Sequence, residues 1–109
     1  MITCAIIDDE PLAVTLLESY VKRVPELDLK GKFLGAREAL DALKETPVDL
    51  VFLDIQMPEL TGLELSSQLP ARTYVIFTTA YSQYAIQGYR ANAVGYLLKP
   101  ISFADFKET

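Results

Sequence analysis

The chain has 109 residues, half of them hydrophobic, and a formal net charge of −5. This length fits one compact domain, and the negative charge argues against a nucleic-acid surface, which needs clustered Lys and Arg. Histidine is absent, which excludes Ser-His-Asp and Cys-His catalysis, imidazole metal sites and a phosphohistidine on this chain. Any chemistry must therefore use carboxylates, hydroxyls and lysine.

The single cysteine, Cys4, lies inside an apolar run and has no second cysteine with which to form a disulfide. We interpret it as a core residue of a protein from a reducing compartment, and we expect a cytoplasmic location. No apolar run approaches the length of a membrane span, and the N-terminal "MITCAIIDDE" lacks the charged region and cleavage site of a signal peptide. These first residues are predicted to begin the fold itself.

Short apolar runs recur along the chain, and each predicts a buried strand. They occupy residues 3–8, 27–34, 50–54, 73–78 and 93–98. The spacing between them leaves room for one helix and two short loops, which predicts an α/β fold with a parallel sheet covered on both faces. Lys30 and Lys32 interrupt the second run, so we expect this strand at an edge of the sheet.

The segments between the strands have helical periodicity. Helices are predicted over 10–24, 36–46, 61–69 and 82–91, with a fifth helix beginning at 102 and cut short by the end of the chain. Their predicted apolar faces comprise Leu12, Leu16, Leu17, Tyr20, Val21 and Val24 in the first helix, and Ala36, Ala39, Leu40 and Leu43 in the second. The chain is interpreted as one doubly wound domain spanning 1–109.

Polar residues follow the carboxyl ends of four of the predicted strands. They are Asp8, Asp9 and Glu10 after the first strand, Asp54 at the end of the third, Thr78 and Thr79 at the end of the fourth, and Lys99 after the fifth. Individually, the first acids could cap a helix, Thr79 a turn, and Lys99 could be a solvated loop residue. Because ligands of such sheets bind outside the carboxyl ends of the strands, their coincidence at one edge favours a site.

The residue types indicate which chemistry that site performs. Clustered carboxylates repel one another, and a divalent cation relieves the repulsion; oxygen ligands without His or Cys suit Mg²⁺. Magnesium held by carboxylates keeps open positions that accept phosphate oxygens, and a carboxylate can itself be the nucleophile. A lysine and a hydroxyl can neutralise the incoming phosphoryl oxygens. Asp54 is therefore predicted to accept a phosphoryl group.

With these residues assembled, the sequence resembles the receiver domain of two-component response regulators. The segments that carry the resemblance are "IIDDEP", "VFLDIQMP", "FTTAY" and "YLLKP". It implies a flavodoxin-like five-stranded sheet of order 2-1-3-4-5 with a truncated fifth helix. It also implies roles for individual residues: phosphorylation at Asp54, Mg²⁺ ligation by Asp9, Asp8, Asp54 and the main-chain carbonyl of Gln56, and switching through Thr79, Lys99 and Tyr96.

The resemblance further implies a partner and an output. A sensor histidine kinase would supply the phosphoryl group, and the surface of helix four and strand five would pass the signal to an output domain absent from this chain. The sequence of residues 77–101 is similar to that of regulators with a LytTR-type DNA-binding output, which implies control of transcription. A homodimer through the face of helix four, strand five and helix five is compatible with this reading. The domain itself is expected to bind neither nucleic acid nor membrane and not to be an enzyme.

Three alternatives remain open at this stage. A phosphatase of the haloacid-dehalogenase type would use Asp8 as nucleophile, but it would want a second Asp at Glu10 and a longer chain. A flavin-binding flavodoxin would need a phosphate loop where "DDEPL" stands, and those acids would repel phosphate. The strongest rival is a receiver fold that signals by protein contact without phosphorylation, although such domains usually lack an acid, the Thr or the Lys.

Overall fold

Parallel strands form the centre of the structure, a computed structural model that describes residues 1–55, 68–69, 73–79, 93–99 and 101–108. In chain order the elements are β1 (Ile2–Ile7), α1 (Pro11–Lys22), β2 (Leu27–Phe33), α2 (Ala36–Glu45), β3 (Leu50–Asp54), β4 (Tyr74–Thr79), β5 (Ala93–Leu98) and the C-terminal helix α3 (Phe103–Glu108). Each predicted strand is present, with its ends displaced by at most one residue. Apart from residues 68 and 69, the predicted helices at 61–69 and 82–91 lie outside the described residues.

The sheet has the order β2-β1-β3-β4-β5 with all neighbours parallel, which confirms the predicted fold. The lysine-containing β2 lies at an edge, as predicted. Its pairing with β1 shifts register at Lys30, so that Leu29 pairs with Cys4 and Gly31 with Ala5. A Cβ atom on Gly31 would lie 2.9 Å from the ring of Phe33, so any larger residue at this bulge would have to displace that ring.

Successive strand residues alternate between two cores, one on each face of the sheet. Ala5 and Ile7 pack with the α2 residues on one face, whereas Cys4 and Ile6 pack with α1 on the other. On α2 the buried residues are those predicted from its periodicity, namely Ala36, Ala39, Leu40 and Leu43. Both faces of the central strands are therefore covered, which explains why their sequences are almost continuously apolar.

The predicted apolar face of α1 is wrong in part. Its buried residues are Val14, Leu17 and Val21, while Leu12 is 84% exposed and Leu16 is 38% exposed. Val14, Leu17 and Val21 are separated by three and four positions and form one stripe, and the two exposed leucines lie on the neighbouring stripe. Both stripes are apolar, and the packing of α1 on the sheet selects only one of them.

The helix α1 begins with Pro11 at its first position, as the sequence predicted. None of the helices described has the length and apolar character that crossing a bilayer requires. The parallel arrangement brings the carboxyl ends of β1, β3, β4 and β5 to one edge of the sheet, and the polar residues listed above lie at that edge.

Candidate functional site

Three carboxylates meet where β1 and β3 end. Ile7 pairs with Leu53 in the parallel register, so the next residues, Asp8 and Asp54, are neighbours across the two strands. One oxygen from each of Asp8, Asp9 and Asp54 lies within 4.8 Å of the others. Asp8 is fully buried and Asp54 is 5% exposed, whereas Asp9 is exposed to solvent. The sequence prediction that these acids converge is correct.

Lys99 reaches into this cluster from the end of β5. Its Nζ lies 2.8 Å from Asp8 Oδ2, 3.7 Å from Glu10 Oε1 and 3.8 Å from Asp54 Oδ1. Burial by itself lowers the pKa of Lys99, but the hydrogen bond to Asp8 and the charges of Asp54, Asp8 and Glu10 outweigh it, and the net pKa is raised. The lysine is therefore held as an ammonium ion among carboxylates, and it is not a solvated loop residue.

Asp8 also orders the turn that leads into α1. Its Oδ1 accepts a hydrogen bond of 2.9 Å from the backbone N–H of Glu10, and its Oδ2 accepts one from Lys99. Glu10 is the N-cap residue of α1, and its side chain makes no capping hydrogen bond. The alternative that Asp8 caps the helix is therefore wrong: one of its oxygens orders the turn ahead of α1, and the other faces the site.

The end of β4 completes the edge beside Asp54. Thr78 pairs with Asp54 in register, and its carbonyl oxygen accepts a hydrogen bond of 3.1 Å from the N–H of Ile55. Thr79 is buried, and its carbonyl oxygen accepts a hydrogen bond of 2.6 Å from the N–H of Lys99. The backbone therefore links the residue predicted as the switch hydroxyl directly to the lysine of the site.

Two other predicted residues belong to the same edge of the sheet by sequence. Tyr96 lies on β5, where its backbone pairs with Phe77; its side chain is not among those that the structure describes. Gln56 also lies outside the described residues. The approach of Glu10 to Lys99 was not predicted, because the sequence signal of an acid before a helix also fits a favourable interaction with the helix dipole.

The donor set suits a magnesium ion. Within the described part of the chain, the acidic cluster offers carboxylate oxygens from Asp8, Asp9 and Asp54 and no nitrogen or sulfur ligand. Oxygen-only ligands from one or two carboxylates are the arrangement that Mg²⁺ prefers in phosphoryl-transfer sites. The residues present therefore fit the cation that the sequence predicted.

Comparison with known proteins identifies the family. A model of the response regulator receiver domain matches residues 4–109. The chain is 42% identical to an uncharacterized response regulatory protein of Vibrio vulnificus and 39% identical to the transcriptional regulatory protein BtsR of Escherichia coli. Each alignment spans 111 residues and covers 100% of this chain but 46% of the relative. The chain thus spans less than half the length of these curated relatives.

Solved structures agree with this assignment. The response regulatory domain of MrkE from Klebsiella pneumoniae has a TM-score of 0.88 at 28% identity, covering 97% of this chain and 89% of that one. The response regulator domain of Thermotoga maritima CheB has a TM-score of 0.83 at 25% identity, covering 98% and 87%. Because the family model extends over nearly the whole chain, the protein belongs to the response regulator receiver domains, the signalling modules of two-component systems.

Proposed function

We propose that this receiver domain is a phosphorylation switch in which Asp54 accepts a phosphoryl group from a phosphohistidine of a partner sensor histidine kinase. One observation carries the proposal: the nearly buried Asp54 lies within 4.8 Å of two further carboxylates and 3.8 Å from the ammonium of Lys99. Phosphoryl transfer to a carboxylate uses all of these groups: acids that can hold a divalent cation, and an ammonium that offsets the charge of the arriving phosphoryl oxygens.

In the proposed reaction a carboxylate oxygen of Asp54 attacks the phosphorus atom in line with the bond to the kinase imidazole. That P–N bond breaks, its electron pair remains on the imidazole nitrogen, and Asp54 becomes an acyl phosphate. The Lys99 ammonium, 3.8 Å from Asp54 Oδ1, offsets the negative charge of the arriving phosphoryl oxygens. Asp8, Asp9, Asp54 and the carbonyl of Gln56 would hold Mg²⁺, which supplies Lewis-acid stabilisation of those oxygens.

The proposed response to phosphorylation runs through Thr79, Lys99 and Tyr96. The hydrogen bond of 2.6 Å between the Lys99 N–H and the Thr79 carbonyl oxygen supports this route, because it couples the ends of β4 and β5. A new dianion on Asp54 would attract both the Thr79 hydroxyl and the Lys99 ammonium. The resulting movement would alter the surface of β5 and its neighbouring helix, with Tyr96 changing rotamer.

For the longer protein we propose an output domain of the LytTR type that controls transcription. Two observations support it: the similarity of the sequence of residues 77–101 to LytTR-type regulators, and the relative named as a transcriptional regulatory protein. Dimerisation through the switched face would be one way to transmit the signal. The receiver domain itself would act as a signalling module and not as an enzyme with an external product.

A groove beside the site is suited to docking the kinase. It has a volume of about 450 Å³ and is lined by Leu12, Ala13, Leu16, Ile101, Glu10 and Lys99. A phosphohistidine within bonding distance of Asp54 brings its protein close to Lys99, and the exposed Leu12 and Leu16 of α1 line the same groove as that lysine. We therefore propose that the apolar face of a helix of the phosphodonor protein binds in this groove.

Transfer experiments with two kinds of donor test the groove. Leu12→Asp should slow phosphorylation by a phosphorylated histidine-kinase domain by about tenfold or more, the effect of losing one apolar anchor. It should leave phosphorylation by phosphoramidate unchanged, because a small donor does not need the groove. Equal rates with the protein donor would exclude this surface as the docking site.

The central proposal is tested by intact mass after incubation with phosphoramidate and Mg²⁺, for the parent and for Asp54→Asn. We expect one phosphoryl group on the parent and none on the variant or in the presence of EDTA. If the parent takes up neither a phosphoryl group nor beryllofluoride, the alternative of a phosphorylation-independent interaction module is the better description of the same fold.

A further inference from the structure

Tyr20 connects α1 to the segment that follows the site lysine. Its hydroxyl donates a hydrogen bond of 2.8 Å to the carbonyl oxygen of Ile101, 81 positions further along the chain. Ile101 is buried and stands two residues after Lys99. The hydroxyl therefore holds the backbone of the turn in which Lys99 lies, from the side of α1.

The same turn is held on its other side by β4. The N–H of Lys99 donates to the carbonyl oxygen of Thr79 at 2.6 Å. The residue between Lys99 and Ile101 is Pro100, which has no N–H to donate to a neighbouring element. Two hydrogen bonds to different elements therefore flank Lys99. In the first, the Lys99 N–H donates to β4; in the second, the Ile101 carbonyl oxygen accepts from Tyr20 of α1.

The ring of Tyr20 is placed independently of its hydroxyl. It packs against Phe103 and Phe106 of α3, with ring centroids 5.4 Å away in each case. The guanidinium of Arg23 lies over the ring of Phe103, 4.0 Å from its centroid. Because this aromatic contact fixes the ring, removal of the hydroxyl alone would leave the packing in place while releasing the Ile101 carbonyl.

The position of the Lys99 ammonium depends on that backbone. Its Nζ lies 2.8 Å from Asp8 Oδ2 and 3.8 Å from Asp54 Oδ1, and a displacement of the backbone at Lys99 would shift the ammonium relative to both carboxylates and to the incoming phosphoryl oxygens. Ile101 also belongs to the apolar core that Val14 and Leu17 of α1 help to form. The Tyr20 hydroxyl adds a directional contact from α1 to the backbone of this segment.

We propose that Tyr20 is a positioning residue for Lys99: its hydroxyl, by holding the Ile101 carbonyl, keeps the ammonium in place for phosphoryl transfer to Asp54. This inference rests on the proposed phosphorylation of Asp54. It assigns Tyr20, which the sequence pattern placed only among the core residues of α1, a function in the reaction.

The first test compares Tyr20→Phe with the parent in phosphorylation by phosphoramidate at saturating Mg²⁺. The rate should fall about three- to tenfold, the factor that one neutral hydrogen bond usually corresponds to. The matched control is Tyr74→Phe, since Tyr74 is an exposed tyrosine at the start of β4, and its rate should equal that of the parent. A Tyr20→Phe rate equal to the parent's would overturn the proposal.

A double-mutant cycle separates positioning of Lys99 from a general structural role. Lys99→Ala, alone and combined with Tyr20→Phe, is measured by phosphorylation rate and by beryllofluoride affinity, which is measurable even when transfer is slow. With Lys99 absent, Tyr20→Phe should have no further effect on either quantity, although its effect on thermal stability should persist. The same fold-loss in both backgrounds would show that Tyr20 does not act through Lys99.

The two proposals fail in distinguishable ways. If the parent itself takes up no phosphoryl group and no beryllofluoride, the proposed function of Asp54 is wrong. If the parent is phosphorylated but the effects of Tyr20→Phe and Lys99→Ala are additive, the proposed function of Asp54 stands and the role of Tyr20 is refuted.

Discussion

The Lys99 ammonium lies 2.8 Å from Oδ2 of Asp8, a carboxylate with no exposed surface. A buried carboxylate requires a cation or several hydrogen-bond donors, and Asp8 has one of each, the ammonium and the N–H of Glu10. Because Asp54 and Glu10 also lie within 4 Å of the same ammonium, Lys99 acts as an internal counterion for Asp8, Asp54 and Glu10.

Lys99→Ala should destabilise the metal-free protein by about 2–4 kcal/mol, because it leaves Asp8 buried without its counterion. Added Mg²⁺ should then stabilise the variant by at least about 1 kcal/mol more than it stabilises the parent, since no ammonium opposes the cation. Urea unfolding in EDTA and in Mg²⁺ measures both quantities. Lys44→Ala, at an exposed position of α2, is the control and should stay within about 0.5 kcal/mol. An equal Mg²⁺ effect in Lys99→Ala and parent would contradict the counterion role.

Asp9→Asn should weaken Mg²⁺ binding by about tenfold or more while leaving the metal-free stability nearly unchanged. The carboxylate of Asp9 is exposed, so its loss removes a ligand charge without leaving a buried group unpaired. Calorimetric titration with Mg²⁺ gives the affinity, and Asp41→Asn on the exposed side of α2 controls for net charge. Unaltered affinity in Asp9→Asn would remove Asp9 from the ligand set.

Thr78→Val should raise the free energy of unfolding by about 1 kcal/mol, because the hydroxyl of Thr78 is buried and has no hydrogen-bond partner in the described structure. The opposite change is expected for Thr73→Val, whose buried hydroxyl donates to the carbonyl oxygen of Val48 at 2.9 Å. Denaturant unfolding of both variants measures the difference. A loss of stability in Thr78→Val would mean that its hydroxyl has a partner after all.

Cys4 should be inert in the native protein and titrate only on unfolding. Burial, with a smaller contribution from the charge of Asp28, raises the pKa of its thiol from 9.0 to about 11. Reaction with a disulfide reagent at pH 8 should be at least about a hundredfold slower than in urea, because it requires opening of the sheet. Rapid native-state reaction would contradict the assignment of Cys4 to the core.

The raised pKa of the Cys4 thiol also makes the free energy of unfolding decrease at high pH. The unfolded thiol loses its proton near pH 9, before the folded one does near 11. Its contribution is therefore complete below pH 9 and is lost as the pH rises towards 11. The raised pKa of Lys99 acts in the same direction at higher pH. Cys4→Ala should flatten the first part of this decline, measured by unfolding between pH 8 and 11.

Local patterns were sufficient to predict most of the fold. Apolar runs such as Leu50–Asp54 are short and continuous, and in a chain that alternates them with amphipathic segments they favour a parallel sheet. The acids after β1 and β3 could be assigned to one edge, because parallel strands present their carboxyl ends together. For the same reason the convergence of Asp8, Asp9 and Asp54 was predictable before any distance was known.

Contacts between distant elements depended on tertiary structure. Apolar periodicity in α1 could not decide between the stripe of Val14 and that of Leu12, since both are apolar and only the crossing of the helix over the sheet buries one of them. Likewise, Thr78 and Thr79 are identical neighbours in the sequence, but their side chains lie on opposite faces of the sheet because side chains alternate along a strand. The pairing of Lys99 with Asp8 and of Tyr20 with Ile101 joins residues 91 and 81 positions apart, and such pairs depend on strand order and helix packing, which no local pattern encodes.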